Sequence, residues 1–226
     1  MKDFSKLIFL PLDMLPPPDI SDTLDEYLEE GIDGYNMVED TYRISPSIIL
    51  MTPQGEWLPI SKKIPEFVNW AEKELFSWTA RSQLVVITTA PGKAMATHID
   101  CSPHKFTNTW QHKFRYVIRG NTSDLKYIKD DGEAYVPTCE NTPYIIKGSW
   151  PHTMHNTASQ TKFTLCLGAP WEPNIDDQPY MEMLERSYKI NSEKYISYDD
   201  WKLPDNFRDF FNEEMYGKVG TEIKLV

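Results

Sequence analysis

His98-Ile99-Asp100 places an imidazole and a carboxylate two positions apart, close enough to meet one metal ion. Well downstream, Trp150-Pro151-His152-Thr153-Met154-His155-Asn156 offers two more imidazoles. Two histidines and one carboxylate on one face of an octahedron leave three positions open, the arrangement that suits non-haem Fe(II) and dioxygen chemistry. On spacing alone, His152 and His155 are both open as the distal ligand. A closed zinc site from His98, Cys101, His152 and His155 is a rival reading of the same residues.

Both stretches follow apolar runs with strand character. Leu84 to Thr89 leads through a Pro91-Gly92 turn to His98, and Tyr144 to Ile146 leads to His152. Further β-type segments are Phe114 to Arg119, Leu125 to Lys129, Ala134 to Val136 and Phe163 to Leu167, with turn signals at Gly120-Asn121, Asp131-Gly132 and Lys147-Gly148. Short strands at this spacing suggest an all-β sandwich or barrel. All five histidines fall between His98 and His155, inside this region.

The flanks read differently. Leu7 to Leu10 and Ile48 to Met51 are short strand candidates. Asp22 to Glu30 reads as a helix capped by Ser21 and ended by Gly31, and Pro65 to Ser77 as a helix with Phe67, Trp70, Ala71 and Leu75 on one face. Asp177 to Tyr188 and Asn206 to Tyr216 are helix candidates at the C-terminal end.

With 226 residues, 40% of them hydrophobic, the chain can bury a substantial core and is most simply one domain. A net charge of −11 weighs against a nucleic-acid surface. Three cysteines, Cys101, Cys139 and Cys166, are too few for a disulfide framework and fit a reducing cytoplasm. No signal-peptide pattern or membrane-length apolar run is present, so the reading is cytoplasmic, with no membrane partner.

Lys162 lies ten positions past His152, at the start of a strand, where a 2-oxoglutarate oxygenase would need a cation for the co-substrate's distal carboxylate. The run from Ser149 to Lys162 resembles the distal motif of the aspartyl/asparaginyl β-hydroxylase family: a histidine, an asparagine four later and a basic residue ten later, leading to a strand that ends near a tryptophan. In that register His152 takes the ligand position, Asn156 the asparagine, Lys162 the basic position and Trp171 the tryptophan; His155 takes a non-ligand position. Upstream, Phe114-Arg115-Tyr116-Val117-Ile118 resembles the family's strand after the first metal histidine. The resemblance implies that Arg115 reaches the carboxylate nearest the metal. Val117 stands where a histidine is common, and Lys162 where arginine is usual, so a forked pair becomes a point charge.

The resemblance covers residues 84 to 172. It implies a mostly β fold with a double-stranded β-helix (jelly-roll, cupin-like) core at 84–172; the flanks, read from their own patterns, are an N-terminal helical and irregular extension at 1–83 and a C-terminal helical extension at 173–226. It also implies a 2-oxoglutarate- and Fe(II)-dependent dioxygenase that uses O2 to hydroxylate an amino-acid side chain, free or peptidyl. His98, Asp100 and His152 would be the metal ligands and catalytic centre; Arg115, Lys162 and Asn156 would line the co-substrate site. A cupin-type metal protein that takes no 2-oxoglutarate is a second rival, because Gly148, His152 and Asn156 also suit its second motif. Arg119 reads as a solvated strand end on the face of Arg115, and His104 and His112 as rim or surface residues.

Overall fold

A computed structural model of the protein describes residues 2–29, 47–100, 110–168 and 171–210. Among these residues ten strands form two antiparallel sheets. They are β1 (Leu7–Pro11), β2 (Ser47–Met51), β3 (Leu84–Thr89), β4 (His112–Arg119), β5 (Leu125–Lys129), β6 (Gly132–Tyr135), β7 (Tyr144–Lys147), β8 (His152–Met154), β9 (Lys162–Leu167) and β10 (Ile196–Ser197). The helices are α1 (Ser21–Glu29), α2 (Pro65–Trp70) and α3 (Gln178–Asn191).

The major sheet runs β10-β1-β7-β4-β9-β3-β2 and the minor sheet β6-β5-β8. Single bridges, Ala94 to His155 and His98 to His152, add the segment before Asp100 to the free side of β8. From β3 onward the chain alternates between the sheets. It goes from β3 to the 94–98 segment, back to β4, across to β5 and β6, and then through β7, β8 and β9. That winding is the double-stranded β-helix. The flanks add more than helices, because β1, β2 and β10 widen the major sheet.

Strand alternation divides the core in two. Phe114 and Tyr116 on β4, Ile145 on β7, and Phe163, Leu165 and Leu167 on β9 point outward. They pack under Leu24, Phe67, Trp70 and Tyr180 of the helices. Val117, Tyr127, Tyr144, Ile146, Trp150 and Met154 fill the space between the sheets. The outer layer carries most of the apolar burial. The inner layer is therefore the one that can hold polar groups.

Local chemistry explains several boundaries. Asp19, two residues before α1, accepts the Ser21 amide at 2.9 Å, and Ser21 is the first helical residue and not the cap. Gly31 lies outside the described residues. After Trp70 the chain widens into a π-helical turn, Ala71–Leu75, closed by the Phe76 amide on the Ala71 carbonyl at 2.9 Å. The wider turn keeps Trp70, Ala71 and Leu75 all buried. Asp177 caps α3. In place of a helix at 206 onward, the described residues form a 3-10 turn, Phe207–Phe210, with residues 211–216 outside the description.

Candidate metal centre

His98 and His152 are held side by side by backbone pairing. The His98 amide donates to the His152 carbonyl and the His152 amide to the His98 carbonyl, each at 2.9 Å. The ring centroids are 4.6 Å apart. Each Nδ1 sits 2.8 Å from a backbone carbonyl, Ala96 for His98 and Trp150 for His152. A carbonyl can only accept, so each Nδ1 carries the proton and each Nε2 presents a lone pair. Both Nε2 atoms face Asp100, at 3.4 Å from Oδ1 for His98 and 3.6 Å from Oδ2 for His152.

Asp100 is positioned by its amide, which donates to the Gly148 carbonyl at 2.6 Å. Gly148 has to be small there, because a Cβ would lie 3.0 Å from that of Asp100 and 3.3 Å from its Oδ2. The three ligand atoms lie within 4.8 Å of one another. With metal–ligand bonds near ~2.1 Å, one ion spans donors up to ~4.2 Å apart, so both histidine–carboxylate pairs are within reach. The donor set, two imidazole nitrogens and one carboxylate oxygen, fits a divalent transition metal.

Burial works to raise the Asp100 carboxyl, but His152, His98 and Arg115 outweigh it and hold it well below the usual carboxylate range. Burial, partly opposed by Asp100, pushes His152 down to about 4. Near neutral pH the pair is therefore an anionic carboxylate and a neutral imidazole, the protonation a metal needs.

Arg115 projects from β4 toward this trio. Its Nη2 donates to Asp100 Oδ2 at 3.0 Å and its Nη1 to the Phe114 carbonyl at 3.0 Å. Lys162 is fully buried at the start of β9. Its ammonium donates to the Asn121 carbonyl at 2.5 Å, to Asp124 Oδ2 at 3.3 Å and to the His155 carbonyl at 3.3 Å. Asp124 in turn accepts from the Thr157 amide and hydroxyl. Burial lowers the Lys162 ammonium, with Asp124 opposing. Asn156 closes the loop before β9, donating to the Thr89 and Gln160 carbonyls and accepting the Ala158 amide.

His155 bridges Ala94 and stands outside the trio; three steps from His152, strand alternation turns it to the other face. Of the four-ligand zinc set, His98 and His152 are in the trio and His155 is not; Cys101, like His104, lies outside the described residues.

Two expectations need correction. His112 is fully buried, with Nδ1 2.8 Å from the Tyr180 hydroxyl of α3, and burial holds its imidazole well below its ordinary range. It is a core residue and not a rim residue. Arg119 is not a solvated strand end. A bulge between Val117 and Arg119 breaks the alternation and sets Arg119 opposite Phe163. Its guanidinium lies 4.4 Å from the Phe163 ring and forks onto Asp25 of α1, at 2.7 Å from Oδ1. Sequence reasoning missed Tyr127, which pairs with His152 across β5 and β8 and whose ring lies 5.8 Å from that of His152, and Asp124, which sits in a 3-10 turn before β5; no local pattern reveals either partner.

No protein-family model and no curated protein matches the chain, so the likeness to the β-hydroxylases is one of motifs. Solved structures do match. A prolyl-4-hydroxylase of Pseudomonas putida is 14% identical, with a TM-score of 0.45, over 76% of this chain and 95% of that one. AviO1 of Streptomyces viridochromogenes Tue57 is 12% identical, with a TM-score of 0.48, over 76% of this chain and 94% of that one. The collagen prolyl hydroxylase of Paramecium Bursaria Chlorella virus-1, solved as a 2OG complex, is 12% identical, with a TM-score of 0.40, over 72% of this chain and 94% of that one. The jelly-roll assignment for this chain rests on its own strand order.

Proposed function

We propose that the protein is a 2-oxoglutarate-dependent Fe(II) dioxygenase that hydroxylates an amino-acid side chain, free or peptidyl. One observation carries the reading. His98, Asp100 and His152 converge as a two-nitrogen, one-oxygen ligand set between the sheets, with a guanidinium against the carboxylate. The metal, when bound, would supply dioxygen activation coupled to oxidative decarboxylation of the co-substrate.

The chain's own residues do the rest. The Ala96 and Trp150 carbonyls fix the tautomers of the two histidines. Arg115 neutralises Asp100 and is the cation nearest the metal for a co-substrate carboxylate. Lys162 serves the distal carboxylate by passing one hydrogen from Asp124 to it; Asp124 keeps its bonds from Thr157. Asn156 holds the turn that delivers Lys162. The inner layer excludes water, which strengthens each of these contacts.

The test is succinate formation from 2-oxoglutarate with Fe(II), ascorbate and O2, screened against free amino acids and short peptides. Succinate that depends on both iron and the added substrate supports the reading. Tight metal binding with no 2-oxoglutarate consumption on any substrate would replace it with the cupin-type alternative.

A further inference from the structure

Arg115 has two cross-strand neighbours on the major sheet, Tyr144 of β7 and Cys166 of β9. Paired residues on one sheet face have Cβ atoms ~4.5–5.5 Å apart. Tyr144 belongs to the core between the sheets and is fully buried, with its ring 5.4 Å from that of Phe9. Its hydroxyl has no hydrogen-bond partner among the described residues. A phenylalanine would fill the same apolar space, so the oxygen is a buried polar group kept at a cost.

Its surroundings indicate what it could serve. Burial raises the phenol far above its ordinary range, with Arg115 opposing, so the O–H stays a neutral donor. The nearby polar groups are engaged: the Tyr127 hydroxyl donates to the Ile8 carbonyl at 3.3 Å, and Cys166 Sγ to the Thr164 carbonyl at 3.5 Å. Arg115 has already given a hydrogen from each Nη, to Asp100 and to the Phe114 carbonyl. Two of its five N–H hydrogens are thus committed before any ligand arrives. A phenol O–H on the adjacent strand adds a neutral donor for a carboxylate, which accepts on two oxygens.

We propose that Tyr144 is a ligand-binding residue, its hydroxyl and the Arg115 guanidinium together holding one carboxylate of the dicarboxylate co-substrate. The inference rests on the co-substrate reading above. It makes the site's anion recognition a product of two neighbouring strands of the major sheet, one supplying charge and the other a neutral donor.

Tyr144→Phe tests it by calorimetric titration of the Mn(II)-loaded protein with 2-oxoglutarate, alongside thermal melts without ligand. The dissociation constant for 2-oxoglutarate should rise about tenfold or more, the usual effect of losing one hydrogen bond to a charged group. Mn(II) affinity should match the wild type, and the ligand-free melting temperature should hold or rise, because an unpaired buried hydroxyl has gone. Unchanged 2-oxoglutarate affinity in Tyr144→Phe overturns the role of Tyr144 and leaves the co-substrate reading standing. A lowered ligand-free melting temperature also overturns it, since the hydroxyl then has a partner in the free protein. Wild-type protein that takes up Mn(II) but no 2-oxoglutarate overturns both.

Discussion

Arg115 and Arg119 leave the same strand four residues apart and enter opposite layers of the molecule. Arg115 faces the space between the sheets, 9% exposed, and meets Asp100 beside the two histidines. Arg119 faces the helical layer, 19% exposed, and clasps Asp25 of α1 across the Phe163 ring. Regular alternation would have put both on one face. The single extra residue at Ile118 separates them. The same residue type thus serves chemistry on one side of β4 and helix docking on the other.

The largest effect should come from a second charge on the inner face. Val117→Arg adds a guanidinium two residues from Arg115, in the apolar layer between the sheets. Loss of the cooperative melt in circular dichroism is the expected result. A Val117→Arg variant that melts like the wild type would show that the inner face accepts a second charge.

A pair of substitutions gives the next effect. Arg115→Met leaves the shielded Asp100 carboxylate without its cation and should cost about 3 kcal/mol of stability, with 2-oxoglutarate binding strongly weakened. Arg119→Met loses a partly exposed pair and a ring contact, worth roughly 1 kcal/mol, and should bind 2-oxoglutarate normally. Denaturant melts and titrations of the two variants measure the asymmetry directly.

The smallest expected difference between the two sides of β4 is in pH dependence. His152, at about 4, and His112 are held below the ordinary histidine value of 6.5 in the fold. Between pH 6.5 and about 4 the unfolded chain therefore binds protons that the folded chain refuses, and stability falls as pH falls. Each such imidazole contributes about 1.4 kcal/mol per pH unit in that window. Asp100 and Asp25 are held below 3.8, so their contributions remain until the pH drops under about 4. Metal-free protein should thus melt several degrees lower at pH 5 than at pH 7, and Arg119→Met should show the same slope. A shallower slope in Arg119→Met would place an acid-sensitive group in the clasp.

Much of the β region was legible because its strands are short apolar, β-branched and aromatic runs bounded by turn residues. β3 and β5 match their expected limits, and β4, β7 and β9 differ by one or two residues. β8 escaped because His152-Thr153-Met154 is three residues behind a proline, too short for a pattern, and β10 is only two. The ligand trio was legible as residue types at a spacing. Its surroundings were not. The partner of His112 is Tyr180 on α3, that of Lys162 is Asp124, and that of Arg119 is Asp25. Each pairing joins residues far apart in the chain, and the bulge that redirects Arg119 leaves no mark in the alternation of residue types.

The reciprocal backbone bonds between His98 and His152 have a consequence for folding as well as for ligation. The segments they join are separated in sequence by β4 to β7, so an ion held by both side chains would act as a reversible crosslink closing a long loop. Unlike a covalent bridge it opens when the chain unfolds, so it stabilises by binding the fold and not the unfolded chain. The melting temperature should then climb with the logarithm of free metal concentration.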